Sequence, residues 1–153
     1  MRDRGAAMVE LAFVLVLLVM LLVGIVSAAV GFGRSNSIQN AAREASRFGA
    51  TLPDAADVAW LDQVRDVARA AASGDLDLAV PGSFICVAYI DSDDNPLSID
   101  NDSGITAVAP CFTDDRPGEA KVQIAVQRDT DFQAIVFSTD ITLSADAAAR
   151  YER

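Results

Sequence analysis

Residues 11–29 read LAFVLVLLVMLLVGIVSAA, with no charge and Ser27 as the one polar side chain. A helix needs about 20 apolar residues to cross a hydrocarbon core of about 30 Å. This run, with the apolar lead-in at 6–9, supplies them. The alternative is the buried helix of a soluble core, but in a small domain such a helix keeps a polar face. None is present, so the run is read as membrane-embedded. The 153 residues then leave room for one further domain and no second.

The flanks give an orientation. Arg2 and Arg4 precede the run and Arg34 is the first charge after it. Positive residues in short tails are retained on the cytoplasmic side, although Asp3 and Arg34 weaken that bias. Charge further along is more decisive. Setting aside Asp3, Glu10, Arg2, Arg4 and Arg34, residues 35–153 keep 20 of the 22 acids and 9 of the 12 basic residues. So acidic a domain gains nothing beside an anionic inner leaflet, which places it outside the cytoplasm. The same acidity leaves no basic patch for nucleic acid. Cys86 and Cys111 both fall in that domain. In an oxidising compartment they are expected to pair, closing a loop of about 25 residues for roughly 3 kcal/mol. Two free buried thiols would be the cytosolic alternative.

An acid at the edge of a membrane helix is costly and usually has a partner or a role. Here Glu10 follows Arg4-Gly5-Ala6-Ala7-Met8-Val9. A cut between Gly5 and Ala6 would make Ala6 the new N-terminus and Glu10 the fifth residue. Glu10 of one chain could then neutralise the free α-amino group of a neighbour within lipid, offsetting the burial cost of both charges. Glycine before the cut leaves the backbone uncluttered for a protease.

This pattern resembles the type IV prepilins: a short basic leader ending in Gly, then an apolar helix with Glu at its fifth position. The next run, GFGRSNSIQNAAREASRFGA at 31–50, is similar to the juxtamembrane segment of TadE-like proteins of the tight-adherence pilus. It reads as a helix with Ile38, Ala41, Ala42, Ala45 and Phe48 on one face, and Arg43, Glu44 and Arg47 on the solvated side. The major subunits of such pili are very short and carry Glu-Tyr where this chain has Glu10-Leu11. The resemblance is therefore to the accessory TadE-like proteins. The ending Arg150-Tyr151-Glu152 is similar to the one usual in that family.

The fold expected is α+β, with a prepilin-type leader at 1–5, a transmembrane helix at 6–33 and a juxtamembrane helix at 34–50. An extracytoplasmic domain follows at 51–153. In it a second amphipathic helix of about 20 residues opens at Pro53-Asp54 and stops at Ser73-Gly74. Its apolar stripe is Trp60, Val64, Val67 and Ala71, widened by Leu61 and Ala68. It packs on a three-stranded antiparallel sheet from residues 83–90, 120–128 and 140–145. The second strand alternates Val122, Ile124, Val126 against Lys121, Gln123, Gln127, as a sheet with one wet face requires. Phe132, Ile135, Val136 and Phe137 are expected to cover the edge of the core. Asp91, Asp93 and Asn95 alternate as calcium-loop ligands do, but Pro96 replaces the turn glycine and Asp102 the bidentate Glu. A solvated acidic loop is the expectation, with no metal.

No catalytic residue or cofactor is assigned. Histidine is absent, and with it the commonest general base. No nucleophile elbow, phosphate loop or Cys-x-x-Cys occurs. The resemblance implies a non-enzymatic minor pilin or pseudopilin, single-pass in the cytoplasmic membrane. Its partners would be a prepilin peptidase, other pilin-type subunits and the pilus assembly machinery. Two alternatives are a domain with an ordinary signal peptide cut near Val26-Ser27-Ala28 and a calcium- or sugar-binding adhesin using the acidic loop.

Overall fold

The computed structural model describes residues 3–53, 57–72, 74, 76, 78–79, 81–100, 106–107, 110–114, 116–133 and 138–151. Expectations that fall on Arg2, Asp54, Ser73, Asp102, Ile135, Val136, Phe137 and Glu152 lie outside these residues. The chain forms two compact units, Met1–Gly33 with Thr130–Ile141, and Arg34–Asp129 with Thr142–Arg153.

Helix α1 runs over Asp3–Thr51 and contributes to both units. In the second unit its inner face is Ile38, Ala41, Ala42 and Ala45, all buried, while Phe48 is half-buried and Arg43, Glu44 and Arg47 are exposed. The i, i+3, i+4 spacing read from the sequence is thus the packing face. Gly49 completes it. A Cβ there would stand 3.0 Å from Val64 Cγ2 and 3.1 Å from Val122 Cγ1, so a larger residue would press on both the second helix and the sheet.

Helix α2 spans Val58–Ala71 and is shorter than the 20 residues expected. Its start is set by Asp57, whose carboxylate accepts from the Trp60 N–H at 2.6 Å. A side-chain cap satisfies an orphan donor of the first turn, and it lies three residues after the expected opening at Asp54. Trp60, Leu61, Val64 and Ala68 are buried, with Val67 and Ala71 packed at their margin. Gly74, at φ +81°, provides the left-handed residue after the helix. Ser37 of α1 donates to the Ala72 carbonyl and joins the two helices there.

The sheet has five strands, not three. They are β1 (Phe84–Ile90), β2 (Pro96–Asp100), β3 (Thr106–Ala107), β4 (Lys121–Gln133) and β5 (Ser138–Arg150), in the order β3-β2-β1-β4-β5. The expected strands are β1, β4 and β5. Those added come from the acidic stretch, which turns back on β1 in antiparallel register with Ile90 opposite Pro96 and Cys86 opposite Asp100. Asp91 builds the turn: its carboxylate accepts from the N–H groups of Asp93 and Asn95, and Asp94 takes φ +59°. An Asx turn of this kind reverses the chain without glycine.

A second correction concerns the face opposite the helices. Ile85, Val87 and Tyr89 face the helical core with Val122, Ile124 and Val126. Yet Cys86, Ala88 and Ile90 are buried too, as are Lys121 and Gln123, which the alternation had placed in solvent. The Cys86–Cys111 disulfide, with Cα atoms 5.7 Å apart, holds the segment around Cys111 over this face. The Phe112 N–H donates to Gln123 Oε1 and the Cys111 sulfur reaches the Gln123 carbonyl. The sheet has two covered faces.

Tyr151 closes the second unit. Its N–H donates to the Ala120 carbonyl and its hydroxyl to the Leu52 carbonyl, each at 2.8 Å. Its ring meets Tyr89 edge-on at 5.4 Å, and Tyr89 meets Trp60 at 6.0 Å.

Candidate membrane and assembly surface

In α1 every residue from Met8 through Leu22 is exposed, Phe13 by 70% and Leu17 by 67%. Water-soluble proteins rarely expose a contiguous apolar patch above a few hundred Å² (~300–600 Å²). No part of the most apolar window is buried inside the protein, and the helix is long and apolar enough to cross a membrane. A surface of this kind is stable against lipid or against other apolar helices, and the helical backbone satisfies its own hydrogen bonds there.

Glu10 is exposed at the start of that surface. The positions three and four residues away on the helix are Ala6, Ala7, Phe13 and Val14, all apolar, so no cation lies within reach along its own helix face. Among the described residues no ion pair includes it. Gly5 and Ala6 lie in the first turns of α1.

In the second unit one ionic cluster braces the fold. The carboxylate of Asp114 accepts a bidentate pair of bonds from Arg116. That bond, ahead of the attraction of Arg116 and Lys121, holds Asp114 below its ordinary value of 3.8 and raises Arg116. Lys121, buried, donates to the Arg116 carbonyl. Asp91 is likewise held low, chiefly by the backbone N–H of Asn95 and then by the Asn95 side chain. Its lone pairs are engaged by the turn rather than arranged for a cation. Among the described residues no three His, Cys, Asp or Glu side chains cluster as a metal site. A cavity of about 330 Å³ lies between the Cys111 segment, β4 and β5, with Asp146 as the one ionisable group in its described lining.

The sequence-predicted residues thus fall into two sets. Gly5, Ala6 and Glu10 stand at the start of the exposed helix, and Cys86 with Cys111 secures the outer sheet face. The Asp114–Arg116–Lys121 cluster and Gln123 were missed. Their signal was in β1, whose residues FICVAYI are apolar at every position and so require cover on both faces.

Comparison with known proteins bears on the first set. The family described as TadE-like protein matches residues 5–47. No curated protein and no solved structure matches the chain.

Proposed function

From the TadE-like character of residues 5–47, we propose that this chain is a minor pilin or pseudopilin acting in assembly of a tight-adherence, type IV-like pilus. The observation that carries the proposal is the coincidence of that match with an apolar helical stretch exposed from Met8 through Leu22 and headed by Glu10. In this reading the helix anchors the protein in the cytoplasmic membrane, with Arg2 and Arg4 inside and the acidic domain outside. A prepilin peptidase cuts between Gly5 and Ala6. These residues lie in the first turns of α1, where backbone N–H groups lack intrahelical partners and the helix unwinds most readily. The new α-amino group at Ala6 and the Glu10 carboxylate of an adjacent pilin-type subunit then neutralise one another in lipid. The role is structural: the helix packs with other helices while the disulfide-bonded domain stays in the aqueous compartment.

The test is a cell carrying only the Glu10→Gln copy, scored for pilus-dependent adherence and for co-purification with other pilins. The amide keeps shape and insertion but removes the charge, so assembly should fail while the protein remains in the membrane. Normal piliation would reduce Glu10 to a boundary residue and remove the proposed mechanism. Mass spectrometry of the wild-type N-terminus is the companion measurement. A start at Ala6 is expected, and an intact Met1 or a start near Ala29 would refute the cleavage.

A further inference from the structure

In the second unit α1 and α2 run antiparallel, and two contacts set their relative level. The Ser37 hydroxyl donates to the Ala72 carbonyl at one end, and Gly49 lies against Val64 and Trp60 at the other. Counted from the first contact, Arg43 and Arg47 lie six and ten residues up α1, while Asp66 and Asp62 lie six and ten residues back along α2. At about 1.5 Å per residue, Arg43 is level with Asp66 and Arg47 with Asp62.

The two pairs do not meet within one molecule. Arg43 and Arg47 are exposed on the side of α1 away from buried Ala41 and Ala45. Among the described residues no ion pair includes either of them. Asp62 and Asp66 stand one turn apart on the outer side of α2, away from buried Leu61, Val64 and Ala68. Both approach Nη2 of buried Arg65, at 3.0 and 3.9 Å, so two carboxylates share one cation, and Asp66 keeps 67% of its side-chain surface. Each pair is spaced i, i+4, about 5–6 Å between Cβ atoms. Glu44 and Arg69 are the charges of opposite sign on the two faces. With a net charge of −10, copies of this chain repel over most of their surface, and pairing these two faces opposes that repulsion.

We infer that a second copy of this chain docks side by side through these faces, with Arg43 and Arg47 of one copy against Asp66 and Asp62 of the next. Copies anchored in one membrane by the same segment stand at one depth, which brings the matched levels together. Exposed ion pairs are individually weak, but confinement to one bilayer raises their effective concentration. The two faces differ, so the contact is heterologous and can extend into a row.

The inference rests on the proposed membrane anchoring, and the experiment separates the two. Full-length protein with its disulfide intact is reconstituted in phosphatidylcholine vesicles as a mixture of two differently tagged copies. One carries Asn40→Cys on α1 and the other Ala70→Cys on α2, both exposed positions. A short bismaleimide links neighbouring thiols, and vesicle flotation reports the anchoring. The mixed product should exceed either copy linked to itself. Arg43→Glu in the first copy should lower it by about threefold or more, and Asp66→Arg in the second should restore it. In protein that floats, an unchanged yield with Arg43→Glu, or no recovery with Asp66→Arg, would overturn the contact and leave the membrane helix standing. Products dominated by self-linked copies would overturn the pairing of unlike faces. No mixed product at all would overturn self-docking and leave the Arg pair for another acidic partner. Protein that does not float would overturn the anchoring, and the contact with it.

Discussion

Gly49 lies in α1 where that helix meets α2 and the sheet. A Cβ added there would stand 3.0 Å from Val64 Cγ2, 3.1 Å from Val122 Cγ1 and 3.2 Å from Trp60 Cζ2. In an unobstructed helix, Gly→Ala raises stability by about 1 kcal/mol. Here three carbons sit inside the ordinary contact distance of about 3.5–4.0 Å. None has free space to retreat into: Val64 and Val122 are fully buried and Trp60 is 3% exposed. Overpacking a core by a methyl group costs about 1–3 kcal/mol, so it outweighs the propensity gain. We expect Gly49→Ala to lose about 1 kcal/mol net and Gly49→Val to lose more. For a chain of this size a loss of about 1 kcal/mol lowers the melting temperature by about 2–4 °C. The assay is thermal unfolding of the detergent-solubilised full chain, followed by near-UV circular dichroism, to which Trp60 at the contact contributes. Gly33→Ala, with nothing within 4 Å of its Cβ, is the control. An unchanged or raised melting temperature for Gly49→Ala would show that helix and sheet are not in tight contact there.

Three further outcomes are expected. Replacing Cys86 and Cys111 together by Ser should cost roughly 3 kcal/mol through the freed loop, read as a lower urea midpoint, and an unchanged midpoint would contradict it. Tyr151→Phe keeps the ring contacts but removes the donor to the Leu52 carbonyl; a loss of about 1 kcal/mol is expected, and no measurable loss would mean that water replaces the bond. Asp114 and Asp91 are both held below their ordinary 3.8, so the folded state binds fewer protons than the unfolded one near that pH. Their stabilisation is complete above 3.8 and is lost as pH falls through the lower folded values. Asp114→Asn should flatten part of that acid slope, and an identical slope would place the linkage elsewhere.

The helices were legible in the sequence because their signals are redundant. The run from Leu11 carries no charge over 19 residues, and Ile38, Ala41, Ala42 and Ala45 recur at helical spacing with charges only on the opposite side. Boundaries were less legible: the helix expected to open at Pro53-Asp54 begins at Val58, with Asp57 as its cap. β2 was missed because its turn is made by Asp91 and Asn95 through side-chain hydrogen bonds, in a stretch whose acidity reads as solvated loop. Lys121 and Gln123 show the limit of alternation. A period of two reports which side a residue faces and says nothing about whether that side is wet. At the candidate site, Glu10 was legible as an anomaly of charge in an apolar setting, with no cation three or four residues away along the helix.

The bond from Tyr151 to Leu52 joins residues 99 positions apart. During synthesis at about 5–20 residues per second, roughly 5–20 s separate the emergence of Leu52 from that of its closing partner. Over that interval the face carrying Ile38, Ala41 and Ala45 is made but lacks β4 and Tyr151 to cover it. Closing the long loop adds little entropy cost beyond a shorter one, so delay rather than free energy is the hazard. The Cys86–Cys111 loop, only 25 residues in sequence, is complete earlier. The disulfide loop can therefore close before Tyr151 reaches the Leu52 carbonyl.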